Sequence, residues 1–141
     1  MVDLVGTCPK DFWQEWIEEG DAAGLPESGE EWGWWTKHWK ARLIVPGDRF
    51  YVVAHGMLRG YAIVTRLARE GQGPDASWVI CRKGGAVACT IDESIPGFRG
   101  LEERWWPRES ERPFPDWQTA GILAREPRVK PAKPAPLFEA R

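Results

Sequence analysis

The chain has 141 residues, 43% of them apolar and 28% charged, with a formal net charge of −2. That length suits one domain of ~50–250 residues, and the composition excludes collagen, coiled coil and disorder for the body of the chain. No apolar run approaches the ~20 residues of a membrane-spanning helix, and MVDLVGTCPKD lacks the apolar stretch of a secretory signal, so the expected location is cytoplasmic.

Asp3 to Cys8 reads as a short apolar strand that Pro9-Lys10-Asp11 breaks. From Asp11 to Glu19 the period changes: Phe12, Trp16 and Glu19 share one face, Trp13 and Ile17 lie beside it, and Glu15 and Glu18 face solvent. This predicts an amphipathic helix of two to three turns, ended by Gly20. Residues 20–31 are a loop rich in glycine and acid, and Trp32–Lys40, with four indoles in eight residues, fits neither period. Pro46-Gly47-Asp48 predicts a turn. A hairpin follows, with strand Phe50–Ala54, a turn around Gly56 and strand Leu58–Leu67. A second hairpin is expected from Trp78–Arg82 and Val87–Ile91 about Gly84-Gly85. Beyond Pro96-Gly97 the chain is dense in arginine and aromatics and broken by prolines, which predicts irregular chain with a short strand near Arg104–Trp106. Trp117–Leu123 reads as a last short helix or strand.

Residues 1–124 therefore form the domain, and the proline- and lysine-rich residues 125–141 a flexible tail. Five or six short strands and one helix describe an α+β fold, a small, mainly antiparallel barrel or half-barrel with the N-terminal helix packed on it.

The small net charge hides an uneven distribution. Residues 1–31 hold nine carboxylates against Lys10, whereas residues 32–69 hold seven bases against Asp48. The three cysteines, Cys8, Cys81 and Cys89, form no CxxC pair and are expected as free thiols.

No catalytic set, metal site or cofactor is predicted. His38 and His55 stand outside any HExxH or HxE pattern, no GxxxxGK[ST] loop is present, and no serine lies in a GxSxG elbow. Cys8 reads as a small buried hydrophobe sooner than as a nucleophile. What stands out is arginine, lysine and aromatic residues interleaved in two stretches, Trp32 to Arg42 and Arg99 to Trp117. Indoles stack on bases and cations meet phosphates, so this pattern points to nucleic acid. About six of the ten tryptophans are assigned to the core, Trp13, Trp16 and Trp78 first.

Thr7-Cys8-Pro9 before the helix Asp11–Trp16, then Glu31-Trp32-Gly33-Trp34, Pro46-Gly47-Asp48, Arg49–Val53 and Leu58–Val64 follow one another in an order that resembles the PUA-like superfamily, in particular its EVE-type domains. The resemblance covers roughly residues 2–120. It implies a pseudobarrel that holds a modified or flipped base in an aromatic pocket between helix and sheet. By position it implies Thr7 and Cys8 at the pocket floor and Trp13 with Trp34 or Trp35 as walls. His55 at its turn and Trp105 and Trp106 of the C-terminal stretch complete the candidate pocket. Lys37, Lys40, Arg42, Arg59, Arg99 and Arg104 are the candidate phosphate-binding residues. The expected partner is DNA or RNA, bound by a monomer or weak dimer without membrane attachment. Two other readings stay open: an ASCH-type ribonuclease or nucleotide hydrolase using His55 with Asp48 or Glu102, and a tryptophan-rich protein-interaction module.

Overall fold

The computed structural model describes residues 2–18, 31–83 and 86–122. Of the predicted loop 20–31 only Glu31 is described, and it opens a strand; the helix stop at Gly20, the Gly84-Gly85 turn and the tail lie outside these residues. Eight strands are described: β1 (Leu4–Thr7), β2 (Glu31–Thr36), β3 (Arg49–Ala54), β4 (Met57–Glu70), β5 (Ser77–Lys83), β6 (Val87–Thr90), β7 (Leu101–Glu103) and β8 (Arg112–Pro113). A 3₁₀ turn, Lys10–Phe12, leads into the short helix α1, Trp13–Glu18. No described helix is long and apolar enough to cross a membrane.

The strands form one mixed, mainly antiparallel sheet in the order β2-β5-β4-β3-β1-β7, with β6 beside β4 and β8 beside β6. The sheet is not closed. Only β1 and β3 run parallel. The β3–β4 hairpin forms as its pattern predicts: His55 (φ 51°) and Gly56 (φ 77°) both take positive φ, as a two-residue turn between right-twisted strands requires. Asp48 closes the preceding turn, its carboxylate accepting from the backbone N–H groups of Val2 (3.2 Å) and Val45 (3.0 Å).

The second predicted hairpin is not one. Arg82 pairs with Val64 of β4, and Val87 pairs with Tyr61 farther back along the same strand. β5 and β6 thus pair in succession along β4, running in one direction, and not with each other. The reason lies in β4, whose fourteen residues offer partners beyond the reach of β5 alone. Cys81 lies opposite Arg66, and Cys89 opposite Pro113. All three cysteines are buried and none is disulfide-bonded. Burial pushes the Cys89 thiol up to about 12, and the Glu111 carboxylate beside it adds to the effect. The short C-terminal strand is β7, three residues ahead of the expected Arg104–Trp106. Residues 117–122 form successive turns in place of a regular element.

Alternation along β3 builds two cores. Phe50, Val52 and Ala54 face α1 and join Leu4, Ile80, Trp13, Trp16, Phe114 and Trp117. Tyr51 and Val53 face the other way, toward Val5, Leu58, Cys89, Ile91, Ile95 and Trp106. Four tryptophans are buried, Trp13, Trp16, Trp106 and Trp117, with Trp16 the most exposed of them at 8%, whereas Trp78 is half-buried beneath Arg69, whose guanidinium lies 4.5 Å from its ring.

Two carboxylates fasten the irregular C-terminal chain to the sheet. Glu111 accepts from Tyr51 Oη (2.5 Å), Trp106 Nε1 (2.8 Å) and Arg49 Nη1 (3.0 Å). Asp3 is buried and accepts from the Arg49 N–H (2.9 Å), Arg104 Nε (3.0 Å) and Arg108 Nη2 (2.9 Å). Burial pushes the Asp3 carboxyl up, yet the Arg49 amide and the two guanidiniums outweigh it and hold it below its usual value of 3.8. A depressed carboxyl stabilises the fold above its unfolded value and loses that contribution as the pH falls through the folded one. Asp3→Asn is therefore expected to lower the melting temperature at neutral pH, with the gap to the parent protein closing below about pH 3.8. Melting curves across the acid range check this; a gap independent of pH would contradict it.

Candidate nucleic-acid interface

β1 ends at Thr7, where Pro9 cannot continue the strand, and the chain turns into α1. β2 is the edge strand of the sheet on the same side. Between them lies a cleft of about 420 Å³. Phe12, Glu15 and Trp16 line it from the helical side, and Gly33, Trp34 and Trp35 from β2. Thr7, Pro9 and Arg82 of β5 complete the lining.

The aromatic walls are held by close packing. Trp34 meets Trp16 at 5.5 Å and Phe50 at 5.0 Å between ring centroids. Its ring crosses Gly6, where a Cβ would come within 3.0 Å of it. Trp35 folds back over Gly33, where a Cβ would stand 2.7 Å from Val79 Cγ1 and 3.0 Å from the Trp35 ring. The glycine is what lets this indole lie on the sheet edge, 58% exposed, with Nε1 donating to Glu70 (3.2 Å). Arg82 is almost entirely buried, and its guanidinium lies 4.9 Å from the Trp16 ring. The Thr7 hydroxyl oxygen accepts from the Phe98 N–H (3.2 Å), which leaves its hydrogen able to donate. Flat apolar faces with a guanidinium, a hydroxyl and a carboxylate at the margins suit a planar heterocycle with donors and acceptors on its edge.

Of the residues expected in the pocket, the structure brings Thr7, Trp34 and Trp35 together. Cys8 is buried next to them, its thiol donating to the Pro9 carbonyl (3.5 Å). Trp13 is interior, packed edge-on against Trp117 at 5.8 Å and against His55 at 6.1 Å, with Nε1 donating to the Gln118 carbonyl (3.0 Å). Trp13 and His55 therefore belong to the core and its turn, apart from the cleft lining. Trp105 and Trp106 border a different hollow, of about 620 Å³, among Asp92, Glu93 and Glu109, carboxylates that repel phosphate. Trp106 is buried there, and exposed Trp105 donates to Glu93 (3.2 Å). Phe12, Glu15, Trp16, Gly33 and Arg82 line the cleft unforeseen. The signal for Arg82 was its phase: it shares a strand face with Trp78 and Ile80, so a charge stands where an apolar side chain fits.

The cationic candidates also divide. Lys37, Arg42 and Arg99 are exposed and have no carboxylate partner among the described residues. Lys40 lies 3.8 Å from Glu102. A Cβ on Gly100 would run into the His38 ring, so Arg99–Gly100 packs beside the Lys37–Arg42 segment. Arg59 is corrected from phosphate ligand to interior side chain: it is 0% exposed, donates to the carbonyls of Ala54 (2.9 Å) and Trp117 (3.0 Å), and lies 5.3 Å from the Trp13 ring. Burial without a counter-charge lowers it to about 10. Arg104 is likewise committed, to Asp3 and to the Trp106 carbonyl. Nor does the fold assemble His55 with either proposed carboxylate: Asp48 and His55 stand at opposite ends of six-residue β3, ~20 Å apart at ~3.3 Å per residue, and Glu102 lies on β7, separated from β3 by β1, where it pairs with Lys40. Among the described residues no group of His, Cys, Asp and Glu is placed to hold a metal ion.

Comparison with known protein families, curated proteins and solved structures finds no match to this chain.

Proposed function

We propose that this chain is a nucleic-acid-binding module of the PUA-like, EVE type, which takes one flipped or modified base into the cleft between α1 and β2. The observation that carries this reading is the cleft itself: Phe12, Trp16, Trp34 and Trp35 with Arg82 around about 420 Å³, within the ~300–1,000 Å³ usual for small-ligand sites. Two further features support it. The open sheet is bridged by the 3₁₀ segment Trp39–Leu43, which packs against both β5 and β7, so the strands approach a pseudobarrel. Lys37, Lys40, Arg42 and Arg99 supply positive charge beside the cleft-bearing strand, as phosphate contacts need.

In this scheme the base stacks on indole faces, and its edge meets the Arg82 guanidinium, the Thr7 hydroxyl and the Glu15 carboxylate. The phosphates flanking it meet the cations. We expect base-modified oligonucleotides to bind more tightly than plain ones, and the affinity to fall steeply with salt because each neutralised phosphate releases counterions. Titration of a modified and a plain oligonucleotide across a salt series tests both points. Failure of both to bind at low salt overturns the reading, and a salt-independent affinity points to a ligand other than nucleic acid.

A further inference from the structure

The residue after His38 has no place in the cleft. Trp39 opens the 3₁₀ segment Trp39–Leu43 and is 56% exposed, an unusual position for the costliest apolar side chain to leave in water. Its setting is fixed on three sides. The His38 imidazole caps the segment, Nδ1 accepting from the Lys40 N–H (3.2 Å), while the His38 N–H donates to Thr36 Oγ1 (3.0 Å). The same imidazole packs on Gly100 and lies nearly parallel to the indole, 22° between planes and 6.1 Å between centroids. Lys40 Nζ is 5.8 Å from the indole centroid.

Charge says what covers this ring. Lys37, Arg42 and Arg99 surround the segment without carboxylate partners among the described residues, and Glu102 is the acid paired with Lys40. A flat, fixed indole set among cations is complementary to a base carried on a phosphate backbone. Trp39 is four residues beyond Trp35, a separation of at most ~14 Å between Cα atoms, which about four stacked nucleotides at ~3.4 Å each would span.

We propose that Trp39 is a second stacking platform, which takes another base of the strand whose flipped base enters the cleft, so that the protein grips a single strand and not a duplex. This rests on the nucleic-acid reading above but not on which base the cleft prefers. A base can lie on Trp39 only with a face unstacked from its neighbour, a condition that single strands meet and continuous duplex does not.

The test titrates the full chain at low salt with labelled single strands of about a dozen unmodified nucleotides, as DNA and as RNA, and with the matching duplex, following anisotropy. Trp39→Ala is expected to weaken single-strand binding by ~5- to ~150-fold, the range for loss of one stacked base, and Trp39→Phe to restore most of it. The exposed position should leave the melting temperature of both variants unchanged. Parent-like affinity of Trp39→Ala, where the parent protein binds, overturns the platform and leaves the nucleic-acid reading standing. Duplex bound as tightly as single strand overturns the single-strand claim. A parent protein that binds none of the three overturns the platform; the nucleic-acid reading falls with it only when the base-modified oligonucleotide also fails to bind.

Discussion

Glu111→Ala is expected to destabilise the protein by about 3–5 kcal/mol, because it leaves two buried donors without an acceptor, at ~1–3 kcal/mol each, and a half-buried guanidinium without its partner. The carboxylate is nearly enclosed and accepts from four side chains: Arg49 and Tyr51 on β3, Cys89 on β6 (3.9 Å) and Trp106 in the irregular segment. Its loss strands the Tyr51 hydroxyl and the Trp106 indole N–H away from water and leaves the Arg49 charge without its partner. With total stabilities of ~5–15 kcal/mol typical of single domains, this one change removes a large share. Glu111→Gln keeps the shape and one acceptor, so a smaller loss is expected. Urea unfolding of the parent and both variants measures the effect. A loss below ~1 kcal/mol for the alanine variant, or an equal loss for both, would contradict the role assigned to the charge.

The second large effect separates two adjacent indoles. Trp34 is half-buried and packs against Trp16 and Phe50, so Trp34→Ala is expected to cost about 3 kcal/mol of stability, the low end of the range for deleting a large aromatic from a core. Trp35 lies on the sheet edge, and Trp35→Ala is expected to leave the melting temperature nearly unchanged while weakening a base-modified oligonucleotide by ~5- to ~150-fold. Melting curves and binding isotherms on the same two preparations decide this. If Trp35→Ala binds as the parent protein does, the cleft is not where the base stacks. If Trp34→Ala melts with the parent, the ring is not the structural wall described above.

The readable parts of this fold are those governed by local chemistry. β1 stops short of Pro9, a helical segment follows it although only Trp13–Glu18 of the expected Asp11–Glu19 is described as α-helix, and the β3–β4 hairpin follows from alternation around His55-Gly56. What could not be read depended on partners distant in the chain. Lys83-Gly84-Gly85-Ala86 looks like a reversal because glycine pairs usually make one; whether the chain turns back depends on β4, thirteen residues and more upstream, being long enough to accept both halves. Arg59 and Arg104 looked like surface cations for the same reason: that Trp117 and Asp3 reach them is a tertiary fact. For the cleft, composition flagged Trp34 and Trp35, and Thr7 followed from the resemblance. Glu15 carries no signal, since a single charge in a helix is ordinary until its neighbours are known, and Arg82 is marked only by its phase on the strand face of Trp78 and Ile80. Trp105 and Trp106 misled because a dense run of arginine and tryptophan looks alike whether its cations face solvent or bind Asp3.

The position of β1 bears on how the chain reaches its native state. This strand is first in sequence yet sits inside the sheet, where Leu4 pairs with Phe50 on one side and Glu103 on the other. Neither neighbour is adjacent along the chain, so β1 cannot dock until most of the polypeptide is available. Folding should accordingly be slow for a domain of this size, in the millisecond-to-second range of proteins dominated by non-local strand pairing. A growing or truncated chain that lacks residues 101–103 would expose an unpaired, apolar strand edge, the kind of surface through which β proteins aggregate.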